Sequence, residues 1–218
     1  MADYSTLIHN HGSESRHQCL IYNGAPSQKL SLLARALQNK LVEGYRCLYL
    51  NSPPMVAGMR STLAAMDMDV AELVKDSLIL SSDTVSPGGN FYSDVMLGKL
   101  EDLLDQAIKD GYKGLWASGD MTWEFGPAKD FSKLMEYELG LEEVFHRRKE
   151  LCGICQYHHD SLPRDAMRQS LLIHPTIVIN ETLKIINPHY LKSNWPTDLN
   201  TNEKLDEMIA ELCRQIGY

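Results

Sequence analysis

The sequence predicts an α/β fold, a three-layer α/β/α sandwich around a mostly parallel sheet. Short, continuously apolar runs recur along the chain, the pattern of strands buried on both faces. Between them lie longer stretches whose apolar residues fall at helical spacing. Gly, Pro and Asn stand at the joins, where turns and caps need them. Strands that alternate with amphipathic helices form parallel βαβ units with right-handed crossovers.

Residues 1–15 are polar and predict a flexible N-terminal segment. Cys19-Leu20-Ile21-Tyr22 is the first strand, and Asn23-Gly24-Ala25 the turn after it. Pro26 suits a first helical position, where its missing N–H costs nothing; Leu30, Leu33, Ala34, Leu37 and Leu41 continue that helix to a cap at Gly44. The unit recurs. A strand at Cys47–Leu50 leads through Asn51-Ser52-Pro53-Pro54 into a helix ending near Met66, and Ser77–Leu80 is the next strand. After the Pro87–Asn90 loop, Val95, Met96, Leu100, Leu103, Leu104, Ala107 and Ile108 predict a helix stopped by Gly111. Gly114–Ser118 is a strand and Asp130–Phe145 a helix. Leu151–Tyr157 is a strand, and Pro163 opens a helix to Leu172. Thr176–Ile179 is the last clear strand, with Leu183–Ile186 its candidate partner. Residues 16–190 thus form one domain. Residues 191–218 are a polar linker and an amphipathic helix with Leu205, Met208, Ile209, Leu212 and Ile216 on one stripe. That stripe either packs on the body or meets a signalling partner or a second copy.

With 218 residues the chain supports one domain with a sizeable core. No run approaches the ~20 apolar residues of a membrane span, and the first residues lack a signal-peptide pattern. The expected location is the cytoplasm. A net charge of −8 and the lack of a long basic run argue against nucleic-acid binding. Arg147-Arg148-Lys149 follows a helix, where it complements the helix dipole. Five cysteines, an odd number, do not make a disulfide scaffold. Cys19, Cys47, Cys152 and Cys155 read as small buried hydrophobes.

In an open α/β sheet, ligands bind beyond the C-terminal strand ends. That rule nominates Tyr22, Asn23, Asn51, Asp83, Asp120, Thr122, Trp123, Glu124 and Tyr157. The first turn excludes the usual nucleotide route. A phosphate loop needs a second glycine and a Ser or Thr after its lysine. Here the run is Asn23-Gly24-Ala25-Pro26-Ser27-Gln28-Lys29-Leu30, and Pro26 removes a backbone donor. Asp120 ends an apolar strand as a magnesium-organising Asp does, yet without the loop that role has no partner. Cys152-x-x-Cys155, with His158 and His159 close by, invites a metal reading, but residues three apart on a strand face opposite sides. No metal or other cofactor is therefore expected.

Several stretches, taken in order, resemble the MEDS family, the sensory domain of methanogens, methylotrophs and the dichloromethane dehalogenase repressor. They are Arg16–Tyr22, Glu43–Leu50, Pro87–Phe91, Gly111–Leu115, Gly119–Trp123, Glu136-Tyr137-Glu138, Cys155-Gln156-Tyr157 and His174-Pro175. The resemblance covers about residues 16–180. It implies a RecA/KaiC-like fold without ATPase motifs and a sensory role toward small organic molecules, with the signal passed to an output module. It brings no catalytic residues with it. Family members often carry Glu where this chain has Asp120. With no room for a helix-turn-helix or kinase module, output is expected through a partner or dimerisation.

The reading is a stand-alone, non-catalytic sensory domain in prokaryotic signalling or transcriptional regulation. Tyr22, Trp123 and Tyr157 are expected to wall a small, mostly apolar ligand that Asp120 orients. Two alternatives stand beside it: a degenerate ATPase-like enzyme using Asp120 and Glu124, and an interaction module that binds through the terminal helix.

Overall fold

A computed structural model describes residues 16–82, 91–122, 131–179, 184–190 and 199–215. Its strands are β1 (His17–Tyr22), β2 (Arg46–Leu50), β3 (Leu78–Ser81), β4 (Leu115–Asp120), β5 (Leu151–His158), β6 (Thr176–Val178) and β7 (Lys184–Ile186). They form one sheet in the order β3-β2-β4-β5-β1-β6-β7. All pairings are parallel except β6 with β7, which is antiparallel. The helices are α1 (Leu30–Val42), α2 (Pro53–Ala65), α3 (Val70–Asp76), α4 (Ser93–Lys109), α5 (Ser132–Arg147), α6 (Arg164–Ile173) and α7 (Leu199–Gln215). This is the sandwich that the apolar runs predict.

Side chains alternate across a strand, so the parallel register sorts them between two cores. His17 pairs with Gly153, Cys19 with Cys155 and Ile21 with Tyr157. Cys19, Ile21, Leu115, Leu151, Cys155 and Tyr157 face α4, α5, α6 and α7 in one core. Leu20, Tyr22, Trp116, Cys152 and Ile154 face α1 and α2 in the other. Cys152 and Cys155 therefore lie on opposite sides of the sheet, as alternation requires.

Local differences from the sequence reading have local causes. Pro26–Lys29 form a 3-10 turn, and α1 starts only at Leu30, so the first helix is not continuous from Pro26. The short α3 was not foreseen: its stripe is Val70, Leu73 and Val74, half-buried on the core beside α1 and α2, and a stripe that short is easily read as loop. Its start is capped by Asp69, whose carboxylate accepts from the Glu72 N–H at 3.1 Å. Gly44 and Gly111 follow α1 and α4 with φ of 89° each, the left-handed turn that suits glycine after a helix. Arg147 and Arg148 do more than face a helix end: they pair with Glu101 and Asp105 of α4.

The stripe of α7 is turned inward. Leu205, Met208, Ile209 and Leu212 are buried in the core beside α6 and β1, and Arg168 of α6 clamps Asp206 with two bonds of 2.8 and 2.7 Å. Ile216, the last member of the predicted stripe, lies outside the described residues. No helix among the described residues is long and apolar enough to cross a membrane.

Candidate functional site

At the C-terminal strand ends, on the α1/α2 side, the structure gathers Tyr22, Asn51, Asp120 and Thr122. Asp120 is buried and its Oδ1 accepts from the Thr122 N–H at 2.7 Å, closing the turn after β4. Burial pushes its carboxyl up from the ordinary range, while bonds from Thr122 and Asn51 and the nearby His158 oppose that rise. Asn51 is fully buried; its amide donates to the Tyr49 hydroxyl at 3.1 Å and its Oδ1 accepts from the Ser52 N–H. Burial, and Asp120 next, hold the Tyr22 phenol well above its usual value. Asn23 is half-buried in the following loop. Tyr157 is not part of this corner. It pairs with Ile21, so it projects from the opposite face to Tyr22, and the two cannot wall one pocket. Asp83, Trp123 and Glu124 lie outside the described residues.

The loop after β1 is engaged by the chain itself. Asp160 accepts from the Gly24 N–H at 3.0 Å, and His158 Nε2 donates to the Gly24 carbonyl at 2.7 Å. A carboxylate thus stands where a phosphate loop would offer its backbone donor to an anion. His158 and His159 are used here, away from Cys152.

The ligand-sized space lies on the other face. A cavity of about 430 Å³ opens between β2, β3, β4 and the helices α4 and α5. Leu48, Leu50 and Ala117 form its sheet side. Leu100, Tyr137 and Phe145 form its helix side. Exposed Lys99 and Asp102 mark where it meets solvent, and Cys155 stands at its inner wall. The volume falls in the range of small-molecule sites, which are mostly apolar with few polar groups.

Behind that wall is a buried polar cluster that the sequence reading missed. His17 of β1, Glu138 of α5, Cys155 of β5 and His174 after α6 bring their donor atoms within 4.8 Å of one another. All four are buried. His17 Nε2 is 3.5 Å from Cys155 Sγ and 3.6 Å from Glu138 Oε2, and His174 Nε2 is 3.7 Å from the same oxygen. Outer partners fix each group. His17 Nδ1 donates to Glu142 at 2.6 Å, and Glu142 accepts in turn from Tyr190 at 2.7 Å. His174 Nδ1 donates to the Ser170 carbonyl at 2.7 Å. The Tyr157 hydroxyl donates to Glu138 Oε1. Phe145 stacks on His17 with ring centres 4.4 Å apart, which joins the cluster to the cavity wall.

Burial dominates the electrostatics. It pushes His17 down to about 3 and His174 well below its usual value, so both imidazoles are neutral. It pushes Glu138 up to about 8 and the Cys19 thiol upward as well. The order Cys155–His17–Glu142 is that of a nucleophile, a base and an orienting carboxylate. An imidazole held this far down is a poor proton acceptor, so the arrangement is ill suited to making a thiolate that way.

Sequence signals for the cluster existed. Glu138 sits on an otherwise apolar helix stripe with Leu134, Tyr137, Leu141 and Phe145, all buried. His17 heads an apolar strand.

These features define an α/β sandwich domain with a mostly apolar, ligand-sized chamber on one side of its sheet. The sequence profile described as MEDS, MEthanogen/methylotroph, DcmR Sensory domain, matches residues 16–175. The chain belongs to this family of sensory domains. No curated protein gives a significant match to it. The cluster draws all four members from stretches that carry the resemblance: His17 from Arg16–Tyr22, Glu138 from Glu136–Glu138, Cys155 from Cys155–Tyr157 and His174 from His174-Pro175.

Proposed function

We propose that this domain senses a small, mostly apolar organic molecule by holding it in the cavity between the sheet and α4/α5, without turning it over. The cavity carries the reading: about 430 Å³, lined by Leu, Met, Ala and aromatic side chains with few polar groups. The ligand site thereby moves from the strand-end corner to the opposite face. Signalling requires that the ligand prefer one of two conformations, and α4 and α5, which pack on each other over the cavity, are the elements whose spacing an occupant would set. The frame is the RecA/KaiC-like one that the family resemblance implies, working in the cytoplasm in prokaryotic signalling or transcriptional control. Asp160 on the Gly24 N–H supports a loop that has given up phosphate binding.

The test is a thermal-shift screen of the purified chain against small halogenated, alcoholic and amine compounds, with ATP and magnesium as a second arm. A ligand at a hundred times its Kd stabilises the fold by ~2.7 kcal/mol. For a chain of this size that raises Tm by roughly 5–10 °C. Shifts with organic compounds alone support the sensor. A shift with ATP and magnesium alone favours the degenerate ATPase reading and refutes this one.

A further inference from the structure

We propose that His17, Glu138, Cys155 and His174 form a binding site for one divalent transition-metal ion, zinc being the ion that suits two imidazoles, a thiolate and a carboxylate. This goes beyond the cavity reading and does not rest on it.

The spacing is the first ground. Tetrahedral zinc, with bonds of about 2.0–2.1 Å to nitrogen or oxygen and about 2.3 Å to sulfur, sets neighbouring donors roughly 3.3–3.6 Å apart. Three of the six donor separations are 3.5, 3.6 and 3.7 Å, and all six lie within 4.8 Å. The two nitrogen–oxygen distances are too long for direct hydrogen bonds. They are the distances of atoms that share a third.

The tautomers are the second ground. The Ser170 carbonyl can only accept, so His174 holds a proton at Nδ1, and a Glu142 carboxylate draws the His17 proton to Nδ1 in the same way. Both Nε2 atoms then lie beside Glu138 Oε2, at 3.6 and 3.7 Å, and His17 Nε2 also meets Cys155 Sγ at 3.5 Å. Among the described residues, neither His174 Nε2 nor Glu138 Oε2 has a hydrogen-bond partner. Buried polar atoms left without partners in a dry core cost free energy that a cation between them removes. The outer bonds are those of known metal sites, where a ligating histidine donates its other N–H to a carboxylate or carbonyl.

Charge is the third ground. A divalent ion against one thiolate and one carboxylate leaves the buried site neutral. Three of the donors come from β1, α5 and β5, and His174 from the join of α6 and β6, so the ion would tie the sheet to the helical layer of α5 and α6 at one point. Cys155 is at once a donor and a wall of the cavity, which lets the ion feel an occupant.

The experiment titrates cobalt(II) into the full chain after chelator treatment, with no organic compound present. Expected are visible bands of tetrahedral cobalt and a thiolate charge-transfer band that saturate at about one equivalent and are displaced by zinc. Cys155→Ser abolishes the charge-transfer band, whereas Cys19→Ala and Cys152→Ala retain it. Glu142→Gln keeps the bands with affinity lowered about 10- to 100-fold. Absence of the bands in folded wild type, or their survival in Cys155→Ser, overturns the proposal. If Cys155→Ser does not fold, zinc X-ray absorption of the wild type decides: one sulfur at about 2.3 Å sustains the site, and a sulfur-free shell removes it. Because no organic compound is present, a negative result here leaves the thermal-shift screen untouched, and the reverse also holds.

Discussion

Replacing Ala117 by leucine separates a real chamber from a packed core, because the two predict opposite signs. Ala117 lies on β4 and faces the cavity with Leu48 and Leu100 around it. In a close-packed interior, enlarging such a residue costs about 1–3 kcal/mol through strain. Here about 430 Å³ stands open to receive it. Leucine adds three carbons, worth about 0.8 kcal/mol each when removed from water, or ~2.4 kcal/mol as an upper bound. Fixing the side chain takes back about 0.5–1 kcal/mol. Ala117→Leu is thus expected to stabilise the ligand-free chain by about 1–2 kcal/mol. Urea unfolding followed by circular dichroism reads this as a higher midpoint at an unchanged slope. The same variant loses the thermal shift given by any organic ligand. A loss of 1 kcal/mol or more at unchanged slope refutes the reasoning, because the space would then be filled in solution.

Asp120 gives a pH signature. Its folded carboxyl is held up by burial, so the folded chain keeps a proton that the unfolded chain releases, and stability falls as pH rises from the ordinary carboxyl range through Asp120's raised value. Asp120→Asn removes that slope; the gap between variant and wild type should widen in the variant's favour as pH rises above about 4, and parallel urea curves would contradict it. Leu205→Ala on α7, fully buried in the core, should cost about 3–5 kcal/mol and lower the calorimetric Tm by roughly 6–20 °C. A cost under about 1 kcal/mol would mean that α7 is undocked in solution. Arg168→Ala breaks the two-bond clamp on Asp206 and should cost only about 1 kcal/mol, less at high salt. Hydrogen exchange should quicken in α7 and not in α1; uniform acceleration would show that the clamp serves the whole fold.

The fold was readable where burial writes a period into the sequence. Fully covered strands such as Cys47–Leu50 are unbroken apolar runs, and α4 and α7 carry clean stripes. The short α3 writes only Val70, Leu73 and Val74, one turn of a stripe, and Pro26 signals a start without saying whether the turn is 3-10 or α. The site was harder. The strand-end rule located Tyr22, Asn51, Asp120 and Thr122 together, but strand parity assigned Tyr157 to the other face. The four cluster members are brought together only by β1 pairing with β5 and β6, by α5 packing over them, and by His174 standing where α6 joins β6. The local metal pattern, Cys152 and Cys155 with His158, pointed at neighbours in sequence. The structure keeps Cys155 and exchanges the rest for residues far along the chain. A glutamate inside the apolar stripe of α5 and a histidine at the head of β1 were the local cues, and neither names its partners.

The interior place of β1 in the sheet has a kinetic consequence. Its neighbours are β5 and β6, and His17 must wait for Gly153 before its side of the ladder can form. At about 5–20 residues per second of synthesis, that wait is roughly 7–27 s on the ribosome. Throughout it, an apolar strand, Cys19 included, stays without its partner. Such non-local parallel pairing makes folding slow and the nascent chain prone to aggregate, so the yield of this domain should depend on chaperone supply more than its final stability suggests.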